Sequence, residues 1–195
     1  MIKERKAKKL RSTRETEIKV KLNIDGTGTV KADSGIKFFD HMLAQLAQHA
    51  GFDLLIEAEG DLEIDQHHTV EDIGITLGQA FLQALGDKKG ISRFADCSVP
   101  LDESLVKTSV DISGRSFLYT DLDLNREMVG DFPSELVEEF LRAFSSHAKI
   151  TLHIELIRGK NCHHQIEAVF KSLARALKDA VTIVSEEMPS TKGKL

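Results

Sequence analysis

A chain of 195 residues with 41% apolar and 29% charged side chains has the make-up of one ordinary globular domain, or of two half-domains sharing a core. No apolar run reaches membrane-spanning length, and the basic start (Lys3, Arg5, Lys6, Lys8, Lys9, Arg11, Arg14) lacks the apolar stretch of a secretory signal. The net charge of −5 gives no general attraction to nucleic acid, and two cysteines, Cys97 and Cys162, make no disulfide framework, which points to the reducing cytoplasm. The basic start reads as a solvated lead-in to the first strand.

Residues 17–22 alternate polar and apolar side chains, the pattern of a half-buried strand. Asp25-Gly26-Thr27-Gly28 turns the chain into a short return strand at 29–32. Asp33 or Ser34 caps a helix that carries Ile36, Phe39, Met42/Leu43, Leu46 and Ala50 on one face and stops at Gly51. A strand at 52–58 and a turn at 59–61 lead into a second helix, which opens with His67-His68-Thr69-Val70-Glu71 and ends near Gly86. Strands are expected at 92–99, interrupted by Pro100, then at 105–112 and 115–122, followed by a loop at 125–131. Phe132, Leu136/Val137, Phe140/Leu141 and Phe144 mark a third helix. A strand at 150–157 precedes a fourth, which opens with His163-His164-Gln165-Ile166-Glu167 and reaches about 184.

The two helix openings both read His-His-x-x-Glu, 96 residues apart, and both start a run of helically spaced apolar residues. The first His and the Glu are four apart and share one side of the helix. The second His lies about 100° further round. Each motif can therefore chelate one ion with its His/Glu pair and offer its other His to a second ion. Core packing has no reason to place two imidazoles and a carboxylate at the same offsets twice. The repetition extends outwards: the segment around His49 matches that around His147 at an offset of 98, and Ile24-Asp25-Gly26 matches Ile112-Ser113-Gly114 at an offset of 88. The expected architecture is one α+β domain over 1–195, built from halves at 15–91 and 92–185, each strand, strand, helix, strand, helix. Two small sheets would flank a layer of four helices.

Several ordered motifs then carry a resemblance. They are Phe-Phe-Asp-His-Met-Leu-Ala-Gln-Leu (38–46), Asp-x-His-His-Thr-Val-Glu-Asp (65–72), Arg-Phe (93–94), Pro-Leu-Asp-Glu-Ser-Leu (100–105), Gly-Arg (114–115), Thr-Leu-His-Ile (151–154), His-His-Gln-Ile-Glu-Ala-x-Phe-Lys (163–171) and Pro-Ser-Thr-Lys-Gly (189–193). Together they resemble the imidazoleglycerol-phosphate dehydratase family of histidine biosynthesis. The resemblance implies a duplicated fold of the ribosomal-protein-S5-domain-2-like type, two Mn²⁺ per active site, and an assembly of 24 subunits with sites between neighbours. It implies one manganese on His41, His68, His163 and Glu167, and the other on His67, Glu71, His164 and Glu139. The family usually has His where this chain has Glu139, although a carboxylate also suits Mn²⁺.

The implied substrate carries an imidazole, a diol and a phosphate. Arg93, Arg115, Lys171, Ser190, Thr191 and Lys192 match substrate-holding positions, the phosphate above all. Gln45 and His49 border the substrate, and Glu15 matches the acid/base carboxylate; its repeat mate is Glu103. His67 and His163 join Glu15 as the implied catalytic residues. The proton to be removed has no neighbouring carbonyl, so a base alone cannot take it. Metal-stabilised imidazolate would instead expel the adjacent hydroxyl, and Glu15 would move the proton. The same ligands would equally serve a dinuclear hydrolase or a metal-storage protein, and an S5-like fold could bind nucleic acid. Lyase turnover with the phosphorylated imidazole diol separates these readings.

Overall fold

Every second residue of the segment at 16–23 is apolar or small, and Ile18, Val20 and Leu22 are all buried. That alternation makes it a strand with one face on the core. The computed structural model describes residues 4–195; Lys3 of the basic start lies outside them. The first half runs β1 (Lys6–Ser12), β2 (Thr16–Asn23), β3 (Val30–Asp33), α1 (Lys37–Ala50), β4 (Asp53–Gly60) and α2 (His67–Leu85). The second runs β5 (Phe94–Leu101), β6 (Ser104–Asp111), β7 (Phe117–Asp121), a small hairpin β8 (Met128–Val129) and β9 (Phe132–Pro133), then α3 (Leu136–Ala148), β10 (Thr151–Arg158) and α4 (Cys162–Ala180).

The two sheets have matching orders, β1-β2-β4-β3 and β5-β6-β10-β7. α2 lies on the first sheet and α4 on the second. The shorter helices pair across the halves: α1 packs on α4, and α3 packs on α2. The helices thus form the layer between the sheets, as expected of a duplicated α+β fold. Its aromatic centre is Phe39, which stacks on Phe132 and meets Phe140 and Phe170 edge-on. Among the described residues no helix is long and apolar enough to cross a membrane. Cys97 and Cys162 are free thiols.

Several sequence expectations need correction. The basic start is not a lead-in: it contains β1, which pairs antiparallel with residues 17–23 of β2. Its only buried side chain is Ala7, and Lys8 and Leu10 alternate with Lys9 and Arg11 on a sheet edge, where charge discourages pairing with other chains. Each half therefore has three strands of its four-stranded sheet before its first helix. The segment after Gly28 does not return alongside β2; β3 runs parallel to β4. The cause is Asp53, whose Oδ1 accepts the N–H groups of Thr27 (2.9 Å) and Thr29 (3.1 Å) and draws the loop across to β4. Pro100 does not interrupt β5, because β5 is an edge strand and needs no N–H there.

Two helix limits also differ. Phe132 belongs to β9, and α3 starts only at Leu136. The last helix stops at Ala180 rather than near 184; beyond it Ile183 bridges to Ile91. At α1 neither proposed residue is the cap: Ile36 holds the N-cap position and no side chain caps it, while Ser34, two positions earlier, shapes the lead-in. Its Oγ accepts Ile36 N–H, while its own N–H (2.7 Å) and hydroxyl (2.6 Å) donate to Asp40 Oδ1.

Candidate active site and metal centre

α4 opens on Asn161, whose side-chain oxygen accepts the N–H groups of His163 (3.0 Å) and His164 (3.4 Å). The cap fixes the first turn, and the four-residue spacing then sets Glu167 above His163: His163 Nε2 lies 3.1 Å from Glu167 Oε2. α1 packs alongside and brings His41 Nε2 to 3.5 Å from the same oxygen. Donor atoms of His41, His163 and Glu167 all lie within 4.8 Å of one another. Donors sharing one divalent ion at about 2.0–2.2 Å stand a few ångströms apart, so this set fits such an ion. Phe38 meets the His163 ring edge-on at 5.2 Å and holds its plane.

Lys171 donates to the other oxygen, Glu167 Oε1, at 2.6 Å. Burial favours the neutral acid at Glu167, but Lys171 and His163 outweigh it and keep the carboxyl pKa below its usual value. On the far side of His41, Gln45 bridges to His49, with His49 Nε2 at 3.0 Å from Gln45 Oε1. Burial, followed by the charges of Lys171 and Arg175, lowers the His49 pKa. A neutral imidazole there is a donor or acceptor for a polar ligand.

Of the other expected residues, His68, His164 and the two arginines are each drawn to a carboxylate. His68 donates from Nδ1 to Asp61 Oδ2 at 3.0 Å, with Glu15 3.9 Å away. His164 donates from Nδ1 to Glu103 Oε2 at 2.9 Å. These bonds raise both histidine pKa values and drop the Glu103 carboxyl far below the ordinary range. Arg93, at a positive φ of 72°, forks onto Asp111 (2.8 and 3.3 Å) and donates to the Pro189 carbonyl at 2.9 Å. Arg115 reaches the same Asp111 at 4.0 Å. One carboxylate thus gathers two arginines beside the tail that holds Ser190, Thr191 and Lys192.

Within one chain the structure brings together three residues of the first implied ligand set and leaves His68 with Asp61 and Glu15. It does not gather the second set. His164 is held by Glu103, and Glu139 accepts from Arg142 at 2.8 Å. His147 donates to the Ala143 carbonyl within its own helix. Sequence reasoning missed Asp61, read only as a turn residue, and took Glu103 only as the mate of Glu15. Carboxylates near a His-His pair in space but far from it in sequence leave no local signal.

Fold and site together define a duplicated α+β protein with a histidine–carboxylate centre where a helix of one half meets a helix of the other. The family model described as imidazoleglycerol-phosphate dehydratase matches residues 34–177. The imidazoleglycerol-phosphate dehydratase of Thermoanaerobacter pseudethanolicus is 60% identical over 193 residues, covering 98% of this chain and all of the relative. That of Caldicellulosiruptor saccharolyticus is 53% identical, covering 95% of each. The crystal structure of the Staphylococcus aureus enzyme superposes with a TM-score of 0.84 at 42% identity, covering 92% of this chain and 99% of the other. The Pyrococcus furiosus structure, a complex with (S)-C348, gives 0.82 at 37% identity, covering 96% of this chain and all of the other. The chain belongs to the imidazoleglycerol-phosphate dehydratase family. It is a lyase of histidine biosynthesis that converts imidazole glycerol phosphate to imidazole acetol phosphate and water.

Proposed function

We propose that this dehydratase is metal-dependent and that a second copy of the chain completes its site. The observation that carries the reading is the grouping of His41, His163 and Glu167 within 4.8 Å, three quarters of one ligand set. One divalent ion would be held by His41, His68, His163 and Glu167, and the other by His67, Glu71, His164 and Glu139. Both are assigned as Mn²⁺. His68 stands on α2, away from the grouped three, so a neighbouring copy supplies it. The assembly is a homo-oligomer, of 24 subunits on the family pattern, and its compartment is the cytoplasm. The chain acts as one dehydratase domain; its first repeat, set at 15–91 from the sequence, takes in β1 as well, and its second is 92–185.

Bound ions would supply Lewis-acid stabilisation of negative charge on the substrate imidazole. The remaining work belongs to side chains. Arg93 and Arg115, with Ser190, Thr191 and Lys192, bind the phosphate and so set the position of the diol. Lys171 joins the phosphate-holding residues, and Gln45 and His49 orient the other end of the substrate. His67 and His163 hold the ring in the plane from which the hydroxyl departs. Glu15 collects the proton from the neighbouring carbon once the hydroxyl has left and that C–H has become acidic. Removing metal with a chelator should abolish turnover, and restoring Mn²⁺ should recover it. Analytical ultracentrifugation of the same samples should show the assembly loosening without metal. Full turnover by rigorously metal-free protein sinks the reading.

A further inference from the structure

The halves hold the second histidine of their motifs with carboxylates from different places in the chain. In the second half Glu103 is a hub at the β5–β6 turn. Its Oε2 receives His164 Nδ1–H, while its Oε1 receives the N–H groups of Lys160 (3.1 Å) and Asn161 (2.7 Å) just before α4. In the first half the matching residue, 88 positions earlier, is Glu15. Glu15 makes no such hydrogen bond: it stands 3.9 Å from His68, and Asp61 has taken the imidazole. A carboxylate can only accept, so Nδ1 carries the proton in both rings and each Nε2 presents its lone pair.

Packing explains the exchange. Asp61 directly follows β4, and the residue that directly follows β10 is Gly159. A Cβ on Gly159 would lie 2.6 Å from Ser104 Oγ and 2.8 Å from Gln165 Cγ. A side chain at that place in the second half would have to displace Ser104 and Gln165, and the carboxylate that hydrogen-bonds His164 Nδ1 is Glu103. In the first half Asp61 fits, and the Glu15 position is released.

We propose that Asp61 and Glu103 are positioning residues that fix the tautomer and ring plane of His68 and His164 for a divalent ion, and that Asp61, by holding His68, frees Glu15 for proton transfer with the substrate. The proposal rests on the metal reading above, yet its first readout needs no metal. Nitrogen-15 NMR of histidine-labelled, metal-free protein should show Nδ1–H on both His68 and His164. Glu103→Ala and Asp61→Ala should each lose that signature at their own histidine. Each should also weaken Mn²⁺ binding about 10–100-fold, followed by electron paramagnetic resonance during titration.

Glu103→Gln is the sharper variant and keeps the side-chain volume. Its one acceptor oxygen stays with the two backbone N–H groups, so its amide donates to His164 and shifts the ring proton to Nε2. Asp61→Glu should restore part of the Mn²⁺ affinity lost in Asp61→Ala. Glu15→Gln should leave both the His68 tautomer and the Mn²⁺ affinity unchanged. Retention of Nδ1–H at His164 in Glu103→Gln, or unaltered Mn²⁺ affinity in both alanine variants, overturns the proposal. Loss of the His68 signature in Glu15→Gln overturns it too, since Glu15 would then be the clamp. Protein that binds no Mn²⁺ but shows these tautomers would instead overturn the metal reading.

Discussion

The α1–α4 and α2–α3 pairs occupy matching places and are packed differently. On α4, Phe170 meets Phe39 of its partner helix, and Ala174 follows one turn on. On α2 the matching positions, 96 residues earlier, are Gly74 and Gly78. A Cβ at Gly74 would come within 2.9 Å of the Phe140 carbonyl, and one at Gly78 within 2.7 Å of the Phe144 carbonyl. α3 therefore rests on the α2 backbone, whereas α1 is held off α4 by side chains. The chemistry divides the same way. The spaced pair presents His41, His163 and Glu167 to one another. The close pair carries Glu139 in the place of His41, and its carboxylate turns to Arg142. Duplication kept the frame and left each copy free to change what it displays.

The comparison breaks most sharply at Glu15 and Glu103. Glu15→Gln should lower kcat by about 10²–10⁴-fold with metal content intact, the range for loss of a general acid–base. Glu103→Gln should instead act through metal affinity, and steady-state kinetics beside metal analysis separates the two. Next comes Glu139. Glu139→Ala should lose one of the two metals preferentially, while Glu139→His should keep both, because carboxylate and imidazole each ligate Mn²⁺. Two tightly held metals in the alanine variant, with normal turnover, would reduce Glu139 to the partner of Arg142.

The helix contacts give a smaller effect. Gly78→Ala should destabilise the fold by about 1–3 kcal/mol, because backbone atoms of α3 cannot yield as a side chain can. Ala174→Gly, the reverse change in the other pair, should cost roughly 0.5–1 kcal/mol through helix propensity, plus the loss of one buried methyl group. Urea unfolding of the two variants compares them, and equal costs would mean that the helix pairs are spaced alike.

The smallest effect concerns Arg5, the repeat mate of Arg93. Arg5 forks onto Asp25 and donates to the Val181 carbonyl, so its work is structural. Its hydrogen bonds hold the Asp25 pKa below the usual carboxylate value. A depressed carboxylate pKa adds stability above the unfolded pKa and loses it as pH falls through the folded one. Arg5→Met should thus cost about 1 kcal/mol or less at neutral pH, with the deficit fading in acid. Turnover at saturating substrate should hold, whereas Arg93→Met should raise KM.

The helices and the duplication were legible because their signals are local or repeated: apolar residues three and four apart, and one five-residue motif written twice. β1 was not legible, since an edge strand that buries only Ala7 has no apolar alternation to read. The partner of β3 was hidden in one aspartate, Asp53, whose hold on Thr27 and Thr29 decides which strand the loop reaches. At the site, His41, His163 and Glu167 followed from helix geometry and resemblance together. Asp61 and Glu103 did not, because each meets its histidine only after β-strands and helices from distant segments have packed.

The crosswise pairing of helices also shapes how the chain folds. α1 packs partly on β3 and β4 but cannot complete the burial of its apolar stripe until α4, more than 100 residues later, has been made. Its native contacts are therefore of high sequence separation, which predicts slow folding and a nascent first half that leaves the ribosome with its stripe exposed. A chain divided in the loop at 87–90 would give two fragments, each soluble only in the other's company, and their co-expression would rebuild the whole.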